Sequence, residues 1–112
     1  MEHSPLDNQI LSLGWSDWIL FAEVEQRLRE AKSQNPQAEA IAWVVKFVQE
    51  GLVTAGHYDG RYIRWPESGK ELELRMRQWL EHKPRDPLGP AMTLMFELTE
   101  SGRNAVPNEQ RF

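Results

Sequence analysis

The sequence predicts an α+β domain in which a helix leads directly into a β-hairpin. The stretch AIAWVVKFVQEGLV has helically spaced apolar residues, and TAGHYDGRYIRW follows it at once as two strand-like runs joined by Asp59-Gly60. Farther on, apolar residues recur at every second position from Met92 to Leu98, as in a half-buried strand. This order is typical of a winged helix-turn-helix, here with an additional helix after the wing and a C-terminal strand that we expect to pair with the wing hairpin.

Two helices are predicted in the N-terminal third of the chain. Ser4-Pro5 places an N-cap candidate before a proline at the first helical position, and Gly14 is expected to end this helix. A second helix is predicted from Ala22 to about Lys32. The segment from Trp15 to Phe21 is compatible with a turn, a short strand or the beginning of the second helix, because so short an apolar run does not separate them.

The third helix and the hairpin after it carry the strongest patterns. The helix is predicted to run to about Gly51, with one apolar stripe made of Ile41, Val44, Val45, Val48 and Leu52. In the hairpin, Asp59-Gly60 is typical of a type I′ turn, in which both central residues adopt positive φ. We therefore expect one face of the third helix to be buried and the hairpin to form the wing.

The C-terminal half is predicted to add a helix, a loop and a strand. Ser68 and Glu71 form a capping-box pattern at the start of a fourth helix, whose expected inner face is Leu72, Met76, Trp79 and Leu80. Three prolines from Pro84 to Pro90 predict a loop, and Thr99 is an N-cap candidate for a last helical turn. Residues 1–106 are expected to form a single winged-helix-like domain, and residues 107–112 a frayed C-terminal tail.

The chain is acidic, which bears on the class of partner. Its 112 residues include 17 Asp and Glu against 13 Lys and Arg, a formal net charge of −4. A domain that grips phosphates usually has a basic face, so these charges disfavour nucleic acid and favour a basic partner. Cysteine is absent and no apolar run has the length of a membrane span, so we expect a soluble, cytoplasmic protein with no membrane contact.

Three phrases along the chain carry a resemblance. They are Glu50-Gly51-Leu52-Val53, Trp65-Pro66-Glu67-Ser68 and Leu98-Thr99-Glu100-Ser101-Gly102-Arg103. In this order the chain resembles, over nearly its whole length, a family of small, largely uncharacterised bacterial winged-helix-like proteins. The last phrase also resembles broad groups of winged-helix transcription regulators. These motifs are structural, so the resemblance implies a fold and carries over no functional residue.

The acidic side of the third helix is the predicted partner-binding surface. It combines Glu39 and Glu50 with Trp43 and Phe47, an aromatic pair one turn apart that lies away from the apolar stripe. An exposed pair would anchor a protein partner or form the seam of a homodimer. The alternative, favoured by the small size of the chain, is that the fourth helix or the proline-rich loop covers the pair.

A nucleic-acid surface is the alternative prediction. Its residues are Lys46 on the third helix and Arg61, Tyr62 and Arg64 in the wing. Strand alternation in the hairpin puts Tyr62 and Arg64 outward on one face. DNA contact would therefore be made mainly through the wing.

No catalytic residue, metal site or cofactor is predicted. His57 and Asp59 are two positions apart in the hairpin, but a turn explains Asp59, and His3 and His82 have no ligand spacing. We therefore predict a non-catalytic protein-recognition domain of an interaction or immunity type that binds a basic partner. A winged-helix transcription regulator is the alternative.

Overall fold

The computed structural model contains both helices and strands and describes residues 4–81 and 89–110. In chain order the elements are α1 (Pro5–Ser12), β1 (Ile19–Leu20), α2 (Phe21–Glu30), α3 (Pro36–Gln49), β2 (Val53–Tyr58), β3 (Tyr62–Arg64), α4 (Gly69–Glu81), α5 (Pro90–Thr93), β4 (Leu94–Leu98), α6 (Glu100–Ala105) and a 3-10 helix (Asn108–Gln110). The predicted α+β class is confirmed for the part of the chain that the structure describes.

The strands form one antiparallel sheet with the order β1-β4-β2-β3. β4 lies in the interior, with Phe96 opposite Ile19 of β1 and Leu98 opposite Val53 of β2. β3 pairs with β2 to complete the hairpin. The predicted pairing of the C-terminal strand with the hairpin is confirmed, and β1 and β3 form the two edges of the sheet.

The first helix begins as its sequence predicts. The hydroxyl of Ser4 accepts a hydrogen bond from the Asp7 N–H at 3.1 Å, and the Asp7 carboxylate accepts one from the Ser4 N–H at 3.1 Å. This reciprocal capping box satisfies backbone donors that the first turn leaves without helical partners. α1 ends at Ser12, close to the predicted stop at Gly14.

The segment that the sequence left open contains a short strand. Ile19 is fully buried opposite Phe96, and α2 begins at Phe21, one position before the predicted start. A strand of two residues is too short to show a period of its own. It is defined by its pairing with β4, a contact far along the chain.

The third helix is buried on more sides than its apolar stripe predicts. Ile41 and Val44 are buried as expected, but Val45 and Val48 are only half-buried. The other buried side chains are Ala40, Trp43 and Phe47. α3 packs against both α2 and α4, so neighbouring helices cover the side that the stripe alone would leave in solvent.

The hairpin turn differs from the predicted type I′ turn. Tyr58 is opposite Tyr62, which leaves a loop of residues 59–61 rather than a two-residue turn. Gly60 has a positive φ of +73°, but Asp59 does not have a positive φ. In the described part of the chain, Lys32 is the non-glycine residue that does. The type I′ prediction was wrong, because Asp59 does not adopt the positive φ that this turn needs at both central residues.

The fourth helix and the last strand are close to their predicted positions. Leu72 and Met76 are fully buried, and Trp79 and Leu80 are half-buried against the core. Most of the predicted proline-rich loop lies outside the described residues. The chain continues at Gly89 with the short helix α5, so β4 begins at Leu94 rather than at Met92.

The C-terminal segment is more ordered than predicted. Thr99 caps α6 as expected, because its hydroxyl accepts the Gly102 N–H at 3.0 Å. The same hydroxyl donates to the Gly51 carbonyl at 2.6 Å, which ties the end of α3 to the end of β4. The predicted frayed tail was wrong for residues 108–110, which form a 3-10 helix against α1.

Candidate functional site

The predicted anchor pair on the third helix lies in the core. Phe47 is 0% exposed and Trp43 is 7% exposed, and their rings stack with centroids 4.1 Å apart. The Trp43 indole N–H donates to the Asp7 carboxylate of α1 at 3.1 Å. The exposure that a partner anchor or a homodimer seam would need is therefore wrong for Trp43 and Phe47, and the alternative that the pair is covered agrees with their burial. Glu39 and Glu50 are exposed on α3, but they have no exposed aromatic anchor between them.

The residues of the predicted nucleic-acid surface are spread over two elements. Lys46 is exposed on α3, with its ammonium 5.7 Å from the Phe47 ring centroid. Arg61 and Arg64 are exposed in the hairpin, while Tyr62 is half-buried. The predicted common face of Tyr62 and Arg64 is confirmed, since they lie opposite Tyr58 and Gly56 of β2.

Strand alternation gives the sheet two unlike faces. The inner face has six buried residues, Ile19, Val53, Ala55, Leu94, Phe96 and Leu98, and His57 and Ile63 complete it as half-buried residues. The outer sheet face consists of Trp18, Leu20, Thr54, Tyr58, Tyr62, Arg64, Met95 and Glu97, all of them half-buried or exposed. A sheet face that carries large side chains and stays accessible to solvent is a candidate binding surface.

Three aromatic rings form a cluster on the outer sheet face. The Trp18 ring stacks on Tyr62 at 5.9 Å and tilts against Tyr58 at 6.0 Å. The Trp18 indole N–H donates to the Glu97 carboxylate at 3.1 Å, and Tyr62 and Thr54 share a hydroxyl hydrogen bond of 2.8 Å. Because these contacts fix the ring positions before any ligand arrives, binding there would cost little side-chain entropy.

Gly56 allows the Tyr62 ring to lie across the sheet. A Cβ atom at Gly56 would collide with the carbonyl oxygen of Ile63 and would lie 2.9 Å from Cε1 of Tyr62. Burial of the Tyr62 hydroxyl raises its pKa to about 12, with Glu97 adding to the rise while the Thr54 hydrogen bond and Arg64 oppose it. Tyr62 is therefore a neutral side chain at neutral pH, and it packs against the Trp18 ring.

Trp18 forms a wall of two hollows. The first, of about 420 Å³, is lined by Gly14, Trp15, Ser16, Asp17, Trp18, Glu97, Leu98 and Arg103. The second, of about 390 Å³, is lined by Leu13, Asp17, Trp18, Leu20, Glu23 and Met95. Trp18 points toward both because Ile19 is inward, and the residue before an inward strand residue points outward.

Contacts within the protein position the residues Gly14, Trp15 and Arg103 that line the first hollow. Gly14 lets the chain pass close to β4, because a Cβ there would lie 2.8 Å from Cγ of Leu98. The Arg103 guanidinium lies 4.2 Å over the Trp15 ring and donates to the Trp15 carbonyl at 3.0 Å. Arg103 is thus already engaged within the protein.

Carboxylates surround Trp18. Asp17 and Glu97 line the first hollow, and Asp17 and Glu23 line the second. Arg61 and Arg64 belong to the hairpin at the opposite edge of the sheet. The Trp18 end of the outer sheet face is therefore suited to a cationic ligand, since an aromatic face and carboxylates both attract positive charge.

His57 belongs to a structural cluster. Its Nδ1 accepts the Trp65 indole N–H at 2.8 Å, and its ring lies 4.7 Å from the Trp79 ring. Burial lowers the pKa of His57, and the nearby Arg75 lowers it further, against an opposing effect of Asp59. This geometry holds the imidazole in its neutral form as a hydrogen-bond acceptor.

Sequence reasoning missed the residues at the Trp18 end of the site. Trp18, Asp17 and Glu97 come together only when β1 pairs with β4. The available signal was the alternation in β4, which marks Met95 and Glu97 as outward. Assigning Ile19 as inward would have put Trp18 beside them, but the sequence does not identify β1 as a strand.

Neither a membrane span nor a metal centre is found in the part of the chain that the structure describes. Within residues 4–81 and 89–110, no helix combines the length and apolar character needed to cross a bilayer. Over the same ranges, no three His, Cys, Asp or Glu side chains are grouped so that they could hold a metal ion.

No protein-family model matches the chain, and no significant match was found among curated proteins or among solved structures. The resemblance to bacterial winged-helix-like proteins stays a prediction.

Proposed function

We propose that this protein is a non-catalytic protein-recognition domain that binds a basic segment of a protein partner on the outer sheet face. The single observation that carries the proposal is the accessible cluster of Trp18, Tyr58 and Tyr62 with carboxylates beside Trp18. Trp and Tyr are frequent anchors of protein interfaces because they bury a large area at low entropic cost. An interaction or immunity-type role, in which the domain masks a basic partner, fits this chemistry.

The charges on this surface favour a basic partner. Asp17, Glu23 and Glu97 lie beside Trp18, and the whole chain has a net charge of −4. Complementary charge raises the association rate and disfavours acidic competitors. The order of helix, strand, two helices and hairpin from α1 to β3 supports a winged-helix scaffold for the site.

Selection from a displayed library of random peptides tests the proposal. Purified protein selects peptides at low salt, and the dissociation constants of the selected peptides are then measured by calorimetry. We expect enrichment in Arg and Lys, and a loss of affinity of about tenfold or more in Trp18→Ala and Tyr58→Ala.

Charge-matched variants give the control for this selection. Asp17→Asn and Glu97→Gln should weaken binding severalfold, while Glu81→Gln removes the same charge from an exposed position on α4 and should leave binding unchanged. Thermal unfolding of each variant checks that the fold is intact. Selection of peptides without basic residues would contradict the proposal. So would Trp18→Ala and Tyr58→Ala variants that bind the selected peptides as tightly as the unmodified protein.

Nucleic-acid binding through the wing is a second candidate. The observation that favours it is that Arg64 shares the outer sheet face with Tyr58 and Tyr62, while Arg61 is exposed beside them. Arginines next to aromatic rings can contact phosphates and stack on bases. The acidic Trp18 end makes this the weaker candidate, because phosphates would approach Asp17 and Glu97.

Polarisation of labelled short duplex and single-stranded DNA at about 50 mM salt tests this candidate, since phosphate contacts are strongest at low ionic strength. Binding that weakens with salt, with a slope reduced by about one unit in Arg61→Ala and in Arg64→Ala, would support it. Absence of binding, or binding insensitive to salt, would contradict it.

A further inference from the structure

We propose that the hollow beside β1 is a docking groove for an arginine side chain of the partner, with an apolar residue of the same segment beside it. This inference rests on the proposed function and specifies how the basic segment binds. The groove is defined as the hollow lined by Leu13, Asp17, Trp18, Leu20, Glu23 and Met95, and we call it the β1 groove.

The lining of the β1 groove matches the parts of an arginine side chain. Leu13, Leu20 and Met95 provide apolar walls for the methylene stem, and the Trp18 ring provides a surface for a planar cation. Asp17 and Glu23 provide carboxylate acceptors. A guanidinium combines a planar face that stacks on aromatic rings with several N–H donors for carboxylates, whereas an ammonium acts as a compact point charge. The groove therefore favours arginine over lysine.

The same two carboxylates already protect the backbone of the sheet edge. The Trp18 N–H donates to the Asp17 carboxylate at 2.7 Å, and the Leu20 N–H donates to the Glu23 carboxylate at 2.9 Å. Two backbone donors of the β1 region are thereby occupied, so a partner strand could not use them to extend the sheet. The partner is held by its side chains rather than by strand addition.

A neighbouring hollow makes a peptide a better ligand than free arginine. This hollow, of about 310 Å³, lies between α2 and α5 and shares Leu20 and Glu23 with the β1 groove. Met92, 37% exposed, contributes an apolar surface to it. In an extended peptide, side chains two positions apart lie on the same side about 6–7 Å from each other. Because the two hollows share Leu20 and Glu23, the ligand we expect is one segment with an arginine for the β1 groove and an apolar residue two positions away for the hollow beside Met92.

The test uses small probes and the indole N–H signals of the five tryptophans in nitrogen-edited NMR spectra. Trp18→Phe assigns the Trp18 signal by its disappearance. The probes are N-acetyl-arginine amide, the lysine and citrulline analogues, and N-acetyl-Arg-Ser-Leu amide. We expect the Trp18 signal to shift with the arginine probe, less with lysine and not with neutral citrulline. The tripeptide should bind about tenfold more tightly than the single residue, because leucine adds apolar contact.

Isosteric variants separate charge from structure. Asp17→Asn and Glu23→Gln each keep an oxygen that can accept the backbone N–H, and each should weaken binding of the arginine probe about tenfold. Glu81→Gln, at an exposed position on α4, is the charge-matched control and should have no effect. Equal shifts with arginine and citrulline, or unchanged affinity in Glu23→Gln, would overturn the arginine groove even if Trp18-dependent basic peptides are selected. Equal affinity for the tripeptide and the single residue would point to free arginine-like ligands and contradict a peptide segment.

Discussion

The indole N–H of Trp65 donates a hydrogen bond to Nδ1 of His57 at 2.8 Å. Trp79 of α4 lies against both rings, 4.7 Å from His57 and 5.7 Å from Trp65, and its own indole N–H donates to the Pro90 carbonyl at 3.1 Å. The Arg75 guanidinium lies 4.2 Å from the centre of the Trp65 ring and pairs with Glu67 at 2.7 Å. These contacts join the hairpin to α4, and they require an unprotonated Nδ1.

We expect the free energy of unfolding to decrease as the pH falls below about 6.5, the ordinary pKa of histidine. Burial and Arg75 lower the folded-state pKa of His57, so over the interval between its lowered and ordinary pKa the unfolded chain binds more protons than the folded chain. The loss of stability should level off once the pH is below the folded-state pKa. Urea unfolding from about pH 8 to about pH 5 measures this dependence.

His57→Asn is the control for this prediction. Asparagine has no proton to gain in this range, so the part of the pH dependence that belongs to His57 should disappear. An unchanged pH dependence in this variant would assign the effect to His3, His82 or the carboxylates.

Tyr62 should ionise only at high pH. Its pKa is raised to about 12 from 10.0, chiefly because its hydroxyl is buried. The unfolded chain therefore loses this proton first, and stability contributed by neutral Tyr62 should be lost as the pH rises from about 10 to about 12. Ultraviolet titration of the two tyrosines measures phenolate formation. Tyr62→Phe should remove the late transition, and a titration curve without one in the unmodified protein would refute the buried hydroxyl.

Phe47→Ala should destabilise the fold by about 3–5 kcal/mol, because it removes a fully buried ring from the core. The exposed Glu39 on the same helix is the control, and Glu39→Ala should change stability by about 0.5 kcal/mol or less. Denaturant unfolding gives both values. A Phe47→Ala variant of normal stability that fails to bind the selected basic peptides would restore the third helix as the binding surface.

Gly56→Ala should disrupt the outer sheet face. The new methyl group would collide with the Ile63 carbonyl and press on the Tyr62 ring, so we expect a loss of about 3 kcal/mol or more. Gly60→Ala in the same hairpin meets no atom within 4 Å, but its φ of +73° should cost about 1–2 kcal/mol. The melting temperatures of the two variants test whether Gly56→Ala is the more destabilising substitution. A smaller effect at Gly56 would mean that Tyr62 does not lie across that residue.

Local patterns in the sequence predicted a large part of the fold. The caps at Ser4 and Thr99 need only a backbone N–H three residues farther along the chain, and the structure confirms both. The alternation from Leu94 to Leu98 and the buried positions Leu72 and Met76 follow from the period of one element. The sequence also indicated that Tyr62 and Arg64 share a face of the hairpin.

The candidate site could not be predicted in the same way, because its residues are distant in sequence. The sequence left open whether Trp43 and Phe47 are exposed or covered, and only the packing of α3 against its neighbours and the Asp7 hydrogen bond put them in the core. Trp18 and Glu97 meet only through the pairing of β1 with β4.

By itself the sequence determined the starts of α1 and α6, the hairpin, the α+β class and the acidic balance of the chain, since these depend on neighbouring residues and on composition. The tertiary structure alone decided which aromatic rings are accessible and which carboxylates lie beside them. The physical reason is that burial is a property of the assembled layers: a ring on the outer side of a helix is exposed or covered according to what packs there, and a two-residue strand exists only through its partner.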